Sequence, residues 1–180
     1  CGDCIAGTYQ DAEGATACIV CDDGYTSPKG SAVQIPTTCS SGTFYDAALQ
    51  VCTACPPGSW CPGGLRESLP IACSVGSFNP TRSASDTTAC TSCQTHFSAM
   101  HVVTYSDGAS SFEQCVCDIE YFDIAASQDE RSCELCNTNT VVCDRRGLTL
   151  ANLFLKPSHW RLTNRTADIH SCDSTSNSTP

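Results

Sequence analysis

Five pairs of cysteines are spaced Cys-x-x-Cys in this chain: Cys1/Cys4, Cys18/Cys21, Cys52/Cys55, Cys90/Cys93 and Cys133/Cys136. Thiols at that spacing can do three kinds of chemistry. Deprotonated, two pairs can hold a tetrahedral zinc ion. At a helix N-terminus, one pair can exchange disulfides. Oxidised, the sulfurs can cross-link the backbone and restrict the unfolded chain. The chain has 17 cysteines among 180 residues, about 9 per cent, the range in which a secreted chain is a disulfide scaffold. Zinc would need these thiols reduced, and the redox pair needs a helix signal that none of the five shows. Cross-linking is the expected chemistry, and with it an oxidising compartment.

The remaining polar residues assemble no second chemistry. His96, His101, His159 and His170 are scattered, with no Ser/His/Asp arrangement or paired carboxylate beside them. No catalytic residue is nominated, and we do not expect an enzyme. Asp22/Asp23 and Asp118/Glu120/Asp123 could meet calcium with the help of carbonyls, but no EF-hand or calcium-binding EGF consensus surrounds them. No metal site is assigned and no cofactor is expected. Asn164-Arg165-Thr166 and Asn177-Ser178-Thr179 are acceptor sequons for N-linked glycans, whereas Asn79 is excluded by Pro80. Both Asn164 and Asn177 are expected to carry sugar. With 42 Ser and Thr residues O-linked sugar is also expected, at sites that cannot be named.

The elements that position these groups have little apolar material. Leu, Ile, Val and Phe number 31 of 180, and the formal net charge is −10. Without the cysteines that balance would read as disorder, because too little apolar surface offsets chain entropy. A disulfide closing a loop of about 15 residues supplies about 3 kcal/mol, so several can replace one large core. Residues 1–143 carry 16 acids against 4 bases, and residues 144–180 carry 3 against 5. The acidic part repels nucleic acid. The C-terminal bases have no aromatic interleaving, so a nucleic-acid partner is not expected. The longest apolar stretch, Leu150 to Leu155 broken by Asn152, is far too short to span a bilayer. An odd cysteine count and a start without Met or signal peptide suggest a segment of a longer secreted or membrane-anchored protein.

Spacing reveals a repeat. Cys4, Cys39, Cys73 and Cys117 align, followed three positions on by Gly7, Gly42, Gly76 and, in the last copy, Glu120. Five positions on stand Tyr9, Phe44, Phe78 and Phe122, and each copy closes on a Cys-x-x-Cys pair. Glycine permits the positive φ of a tight turn after the first cysteine. A short strand follows, and its aromatic ring is expected to cover the disulfide of its module. Half-copies begin at Cys21 (Gly24, Tyr25) and Cys55 (Gly58, Trp60). The repeats span residues 1–38, 39–72, 73–116 and 117–143. Residues 144–180 form a separate C-terminal segment with one or two strands broken at Pro157.

CIAGTYQDAEGATACIVC and CSVGSFNPTRSASDTTACTSC resemble the ephrin-receptor-like cysteine-rich repeat, which is related in style to EGF-like and tumour-necrosis-factor-receptor modules. The resemblance covers about residues 1–143 and weakens at Glu120. It implies tandem repeats of a large extracellular protein, of the kind found among protist surface proteins, with no catalytic residues to carry over. HWRLTNRTADIHSC is similar to a tryptophan-containing segment that follows such repeats in some large protist surface proteins.

Repetition narrows the disulfide pairing without settling it. The simplest scheme closes each hairpin on itself: Cys4–Cys18, Cys39–Cys52, Cys73–Cys90 and Cys117–Cys133. The second cysteine of each terminal pair then bridges forward: Cys55–Cys61, Cys93–Cys115 and Cys136–Cys143. Cys1, Cys21 and Cys172 remain, with partners for Cys1 upstream and Cys172 downstream. An interleaved first module, Cys1–Cys18 with Cys4–Cys21, is the rival.

The expected fold is small and disulfide-rich: tandem irregular β-hairpin modules with little helix, plus a short β-containing C-terminal segment. The expected role is structural or adhesive, in a large extracellular glycoprotein of a cell-surface coat or a filament such as a flagellar hair. Its partners would be neighbouring domains of the same chain, copies of itself in a polymer, or a protein or glycan ligand. A ligand-binding receptor ectodomain is the alternative, with Trp60 and Trp160 as its aromatic patch, and a zinc-binding Cys-x-x-Cys protein comes third.

Overall fold

The computed structural model describes residues 3–127 and 129–172. It is a small disulfide-rich, strand-dominated fold of short hairpins, whose strands are two to four residues long.

One turn generates most of it. Gly7, Gly42 and Gly76 take φ of 83°, 83° and 88°. The next residue of each donates its N–H to the carbonyl three positions back, Thr8 to Ile5, Thr43 to Ser40 and Ser77 to Ser74. A positive φ at the third position is what a type II β-turn demands, and glycine meets it without steric cost. Gly24 and Gly58 in the half-copies do the same, at φ of 83° and 81°. Glu120 takes φ 72° in the fourth repeat although it has a side chain.

Two further copies lack both the opening cysteine and the glycine. His101 (φ 61°) and Ser158 (φ 65°) stand at the same point of the turn. They precede the strands Val102–Thr104 and His159–Trp160. Among the described residues, eight such turns each launch a strand that pairs antiparallel with the next return strand. In every case the carbonyl of the positive-φ residue accepts an N–H from the residue just past the return strand. The donors are Cys21, Thr37, Cys55, Cys73, Cys93, Asp118, Cys136 and Cys172, at 2.8 to 3.1 Å. The bond closes the hairpin base, so six of the eight modules end on a cysteine that the turn itself positions.

The chain divides into two compact units, Cys1–Cys73 with Asn79–Cys90 and Ser74–Phe78 with Thr91–Pro180. The first has few buried apolar side chains, chiefly Ile35, Ala84 and cystine sulfurs, with Cys55, Cys61 and Cys73 at 1 % exposure or less. Asn79 is fully buried there and hydrogen-bonded at both ends of its amide. Its Nδ2 donates to the Ser59 carbonyl, and its Oδ1 accepts from the N–H and hydroxyl of Thr81. Its own carbonyl accepts from the N–H of Gly58.

The second unit has two cores. One gathers Phe78, Cys93, Val102, Ala109 and Cys115; the other gathers Phe122, Cys136, Val141, Leu148 and Leu153. The strand Tyr121–Asp123 lies between Cys133–Leu135, antiparallel, and Leu148–Thr149, parallel. Residues 144–172 are therefore not separate from the fourth repeat, as the break in cysteine spacing at 144 suggested. Leu148 and Leu153 bury their side chains in the Phe122 core, adding to the cover that Cys136 and Val141 give from within the repeat. The C-terminal residues also supply four short strands rather than one or two: Leu148–Thr149, Phe154–Leu155, His159–Trp160 and His170–Ser171.

One α-helix, Cys93–Phe97, begins at the second cysteine of a Cys-x-x-Cys pair, where the sequence carries no helix signal. Ser98 ends it in the left-handed conformation after five residues. So short a helix has almost no intrinsic stability; the Cys93–Cys115 bridge and the packing of Cys93 in the Phe78 core hold it.

Candidate functional site

Seven disulfides close among the described residues. Four tie a repeat's first cysteine to the start of its terminal pair: Cys4–Cys18, Cys39–Cys52, Cys73–Cys90 and Cys117–Cys133. Three run forward from the second member of the pair: Cys55–Cys61, Cys93–Cys115 and Cys136–Cys143. The hairpin explains this division of labour. The first cysteine of the pair lies on or beside the return strand, facing the opening cysteine. The second is the donor that closes the hairpin base and already belongs to the next turn. Cys4–Cys18 rules out the interleaved first module. Cys21, half-buried with its thiol 3.4 Å from the Ser27 hydroxyl, and Cys172, exposed, are free. Cys1 lies outside the described residues.

The repeat aromatics divide by unit. Phe78 and Phe122 are buried, whereas Tyr9 and Phe44 are only half-buried. Phe78 does not pack chiefly on its own repeat's bridge, Cys73–Cys90, as expected; it clusters with Cys93 and Cys115. Phe122 likewise sits with Cys136. The strand carries the ring past the closing bridge and onto the cysteine that starts the next module.

Of the acidic groups considered for calcium, Asp22, Asp118 and Asp123 are engaged by other partners. Asp118 Oδ1 accepts from Arg146 Nε at 2.9 Å and from the N–H of Ile119. Burial pushes its carboxyl up, but the Ile119 N–H, the Arg146 guanidinium and nearby His101 outweigh that and hold its pKa below the usual range. Arg146 also reaches the carbonyls of Thr104 and Tyr105, so one guanidinium joins three segments. Asp123 takes the N–H groups of Ala125 and Ser132 and lies 3.7 Å from Arg131, both side chains being 11 % exposed. Arg131 donates to the Cys115 carbonyl and lies over the Phe97 ring. Asp22 binds the Gln34 amide. No group of three or more His, Cys, Asp and Glu side chains that could hold a metal occurs among the described residues.

Three of the four histidines pack on aromatics, and the His159 ring lies 3.0 Å from the Pro157 carbonyl. His96 contacts Phe78, Phe97 and Phe112, and His101 stacks on Tyr121 at 3.9 Å. His170 faces Trp160 across the last hairpin. Of the two tryptophans, Trp60 is half-buried and Trp160 is 46 % exposed. Asn164 is exposed on a turn between the strands of that hairpin; Asn177 lies outside the described residues.

Sequence reasoning missed Asn79, Arg131 and Arg146. Asn79 stands next to the aromatic of its repeat, and the Asn-Pro-Thr order was a signal for a side-chain turn. The two arginines left no local mark, since their partners are up to 42 residues away.

No helix of the described residues is long and apolar enough to cross a membrane. The density of disulfides is typical of extracellular proteins. Comparison with known proteins finds no matching family model and no matching curated protein.

Proposed function

We propose that this chain is a non-catalytic structural segment of a large extracellular glycoprotein, built from ephrin-receptor-like cysteine-rich repeats and used in assembly or adhesion. The supporting observation is the recurrence of one turn-and-hairpin unit eight times among the described residues, most copies locked by a disulfide. A repeat of this kind puts its chemistry into covalent closure. Its charged groups, Asp118, Asp123, Arg131 and Arg146, are engaged in holding segments together rather than turned toward a reactant. A cell-surface coat or an extracellular filament, such as a flagellar hair, is the setting such a segment suits. Its partners there are its neighbouring domains and copies of itself.

Intact-mass analysis of the native protein with and without reductant and glycosidase tests the scaffold and the sugar together. The expected result is fourteen cysteines in disulfides and glycan on the C-terminal sequons; free thiols at those positions overturn the reading. Sedimentation of the secreted full chain tests assembly. Self-association supports the structural role. A strictly monomeric chain that retains a soluble protein ligand through the exposed Trp160 supports the receptor alternative instead.

A further inference from the structure

The second unit contains a groove beside the sequon. Asn164 and Arg165 stand at one wall; Ile124, Ala125 and Ala126 line another, and Thr149 to Ala151 complete it. Its volume is about 400 Å³, within the range of roughly 300–1,000 Å³ for cavities that hold small molecules. Three of its lining residues are alanines, and their small side chains leave the space open.

Both sides of the groove are held by bonds that do not depend on an occupant. Asp123, ion-paired with Arg131, pins the Ala125 N–H. The Asn164 turn is fixed by Thr163 and Thr166: the Thr163 hydroxyl accepts from Arg165, and the Thr166 hydroxyl accepts from Asp168. The acceptor amide is thereby kept at the groove's rim.

We infer that the proximal N-acetylglucosamine residues of an N-linked glycan on Asn164 pack into this groove, so that the sugar is part of the folded unit. The inference rests on glycosylation at Asn164, proposed above. An amino sugar suits the lining. Its ring face and acetamido methyl group meet Ala125, Ala126 and Ala151, and its hydroxyls meet Thr149 and Arg165. The tether makes a weak contact sufficient. A short flexible link gives an effective concentration on the order of millimolar, so a surface that held free sugar only in that range would still be substantially occupied. Removing the glycan would then expose the segments 124–126 and 149–151.

The full chain secreted from eukaryotic cells provides the test, with peptide-N-glycosidase as the probe. The expected result is native release from Asn164 about tenfold slower than in the groove-filling variant Ala151→Phe, whose disulfide map is unchanged because Ala151 is exposed. Should that variant mispair, hydrogen exchange on the wild-type chain decides: amides 124–126 and 149–151 should exchange about tenfold faster once the glycan is removed. Absence of glycan mass at Asn164 overturns the glycosylation reading itself. Glycan present, with equal release rates or unchanged exchange, overturns the packing alone and leaves glycosylation standing.

Discussion

The N–H of Cys136 donates to the carbonyl of Glu120 at 2.8 Å, the same bond that Cys93 makes to Gly76 in the repeat before. The turn therefore keeps its geometry after losing its glycine, with Glu120 at φ 72°. A residue with a Cβ pays about 1–2 kcal/mol in the left-handed region. Among the described residues, the exposed Glu120 side chain has no hydrogen bond that would offset it. Glu120→Gly should stabilise the second unit by about 0.5–1 kcal/mol, the strain relief less the extra unfolded-chain entropy of glycine. Urea unfolding with disulfides intact measures it. A neutral or lower stability would show that Glu120 carries a role of its own.

Gly63 and Gly76 separate strain from crowding. A Cβ at Gly76 (φ 88°) meets nothing within 4 Å, whereas one at Gly63 (φ 78°) would lie 2.6 to 2.7 Å from backbone atoms of Cys39, Ser40 and Ser41. Gly76→Ala should cost about 1–2 kcal/mol from φ alone. Gly63→Ala should cost a further 1–3 kcal/mol, because backbone must move. Local hydrogen exchange of the two variants gives the comparison, and equal costs would contradict the close approach.

The bridges should differ in weight. Cys93–Cys115 spans 22 residues and Cys55–Cys61 spans 6. Loop-closure entropy alone assigns them about 3 and about 2 kcal/mol. Replacing Cys93 and Cys115 by Ser also hollows the Phe78 core and leaves the five-residue helix unheld. That double variant should lose helical signal and native disulfide fidelity, while the Cys55/Cys61 double variant retains both. Peptide mapping and circular dichroism distinguish them.

Acid should weaken the Asp118–Arg146 link. The folded pKa of Asp118 lies below its ordinary value of about 3.9. Its contribution is therefore fully present above that value and is lost as pH falls through the folded pKa. Asp118→Asn should flatten this part of the acid limb of stability and leave the slope above pH 5 unchanged. Because the side chain is 37 % exposed, solvent screening keeps the effect small. An identical acid limb in the variant would show the pair to be silent.

What could be read locally was read from the sequence. A β-turn depends on four residues, so Cys-x-x-Gly with an aromatic two positions later announces itself. Closure between a turn and the next Cys-x-x-Cys follows from hairpin length, which is why Cys39 and Cys52 could be paired on paper. The turns at His101 and Ser158 were invisible, because neither glycine nor an opening cysteine marks them, and packing around the hairpin must hold the positive φ. The groove beside Asn164 was hidden as well, since residues 123–126, 149–151 and 164–165 meet only in three dimensions.

By itself, then, the sequence determined the disulfide-rich character, the module and a short set of candidate closures, all of which are short-range consequences of residue type and spacing; the structure selected Cys4–Cys18 over the interleaved rival. Tertiary structure alone decided which modules share a core. The parallel pairing of Phe122 with Leu148 and the reach of Arg146 to Asp118 and Thr104 join segments 26 to 42 residues apart. Such contacts depend on where each hairpin buries its few apolar side chains, and no local pattern encodes that.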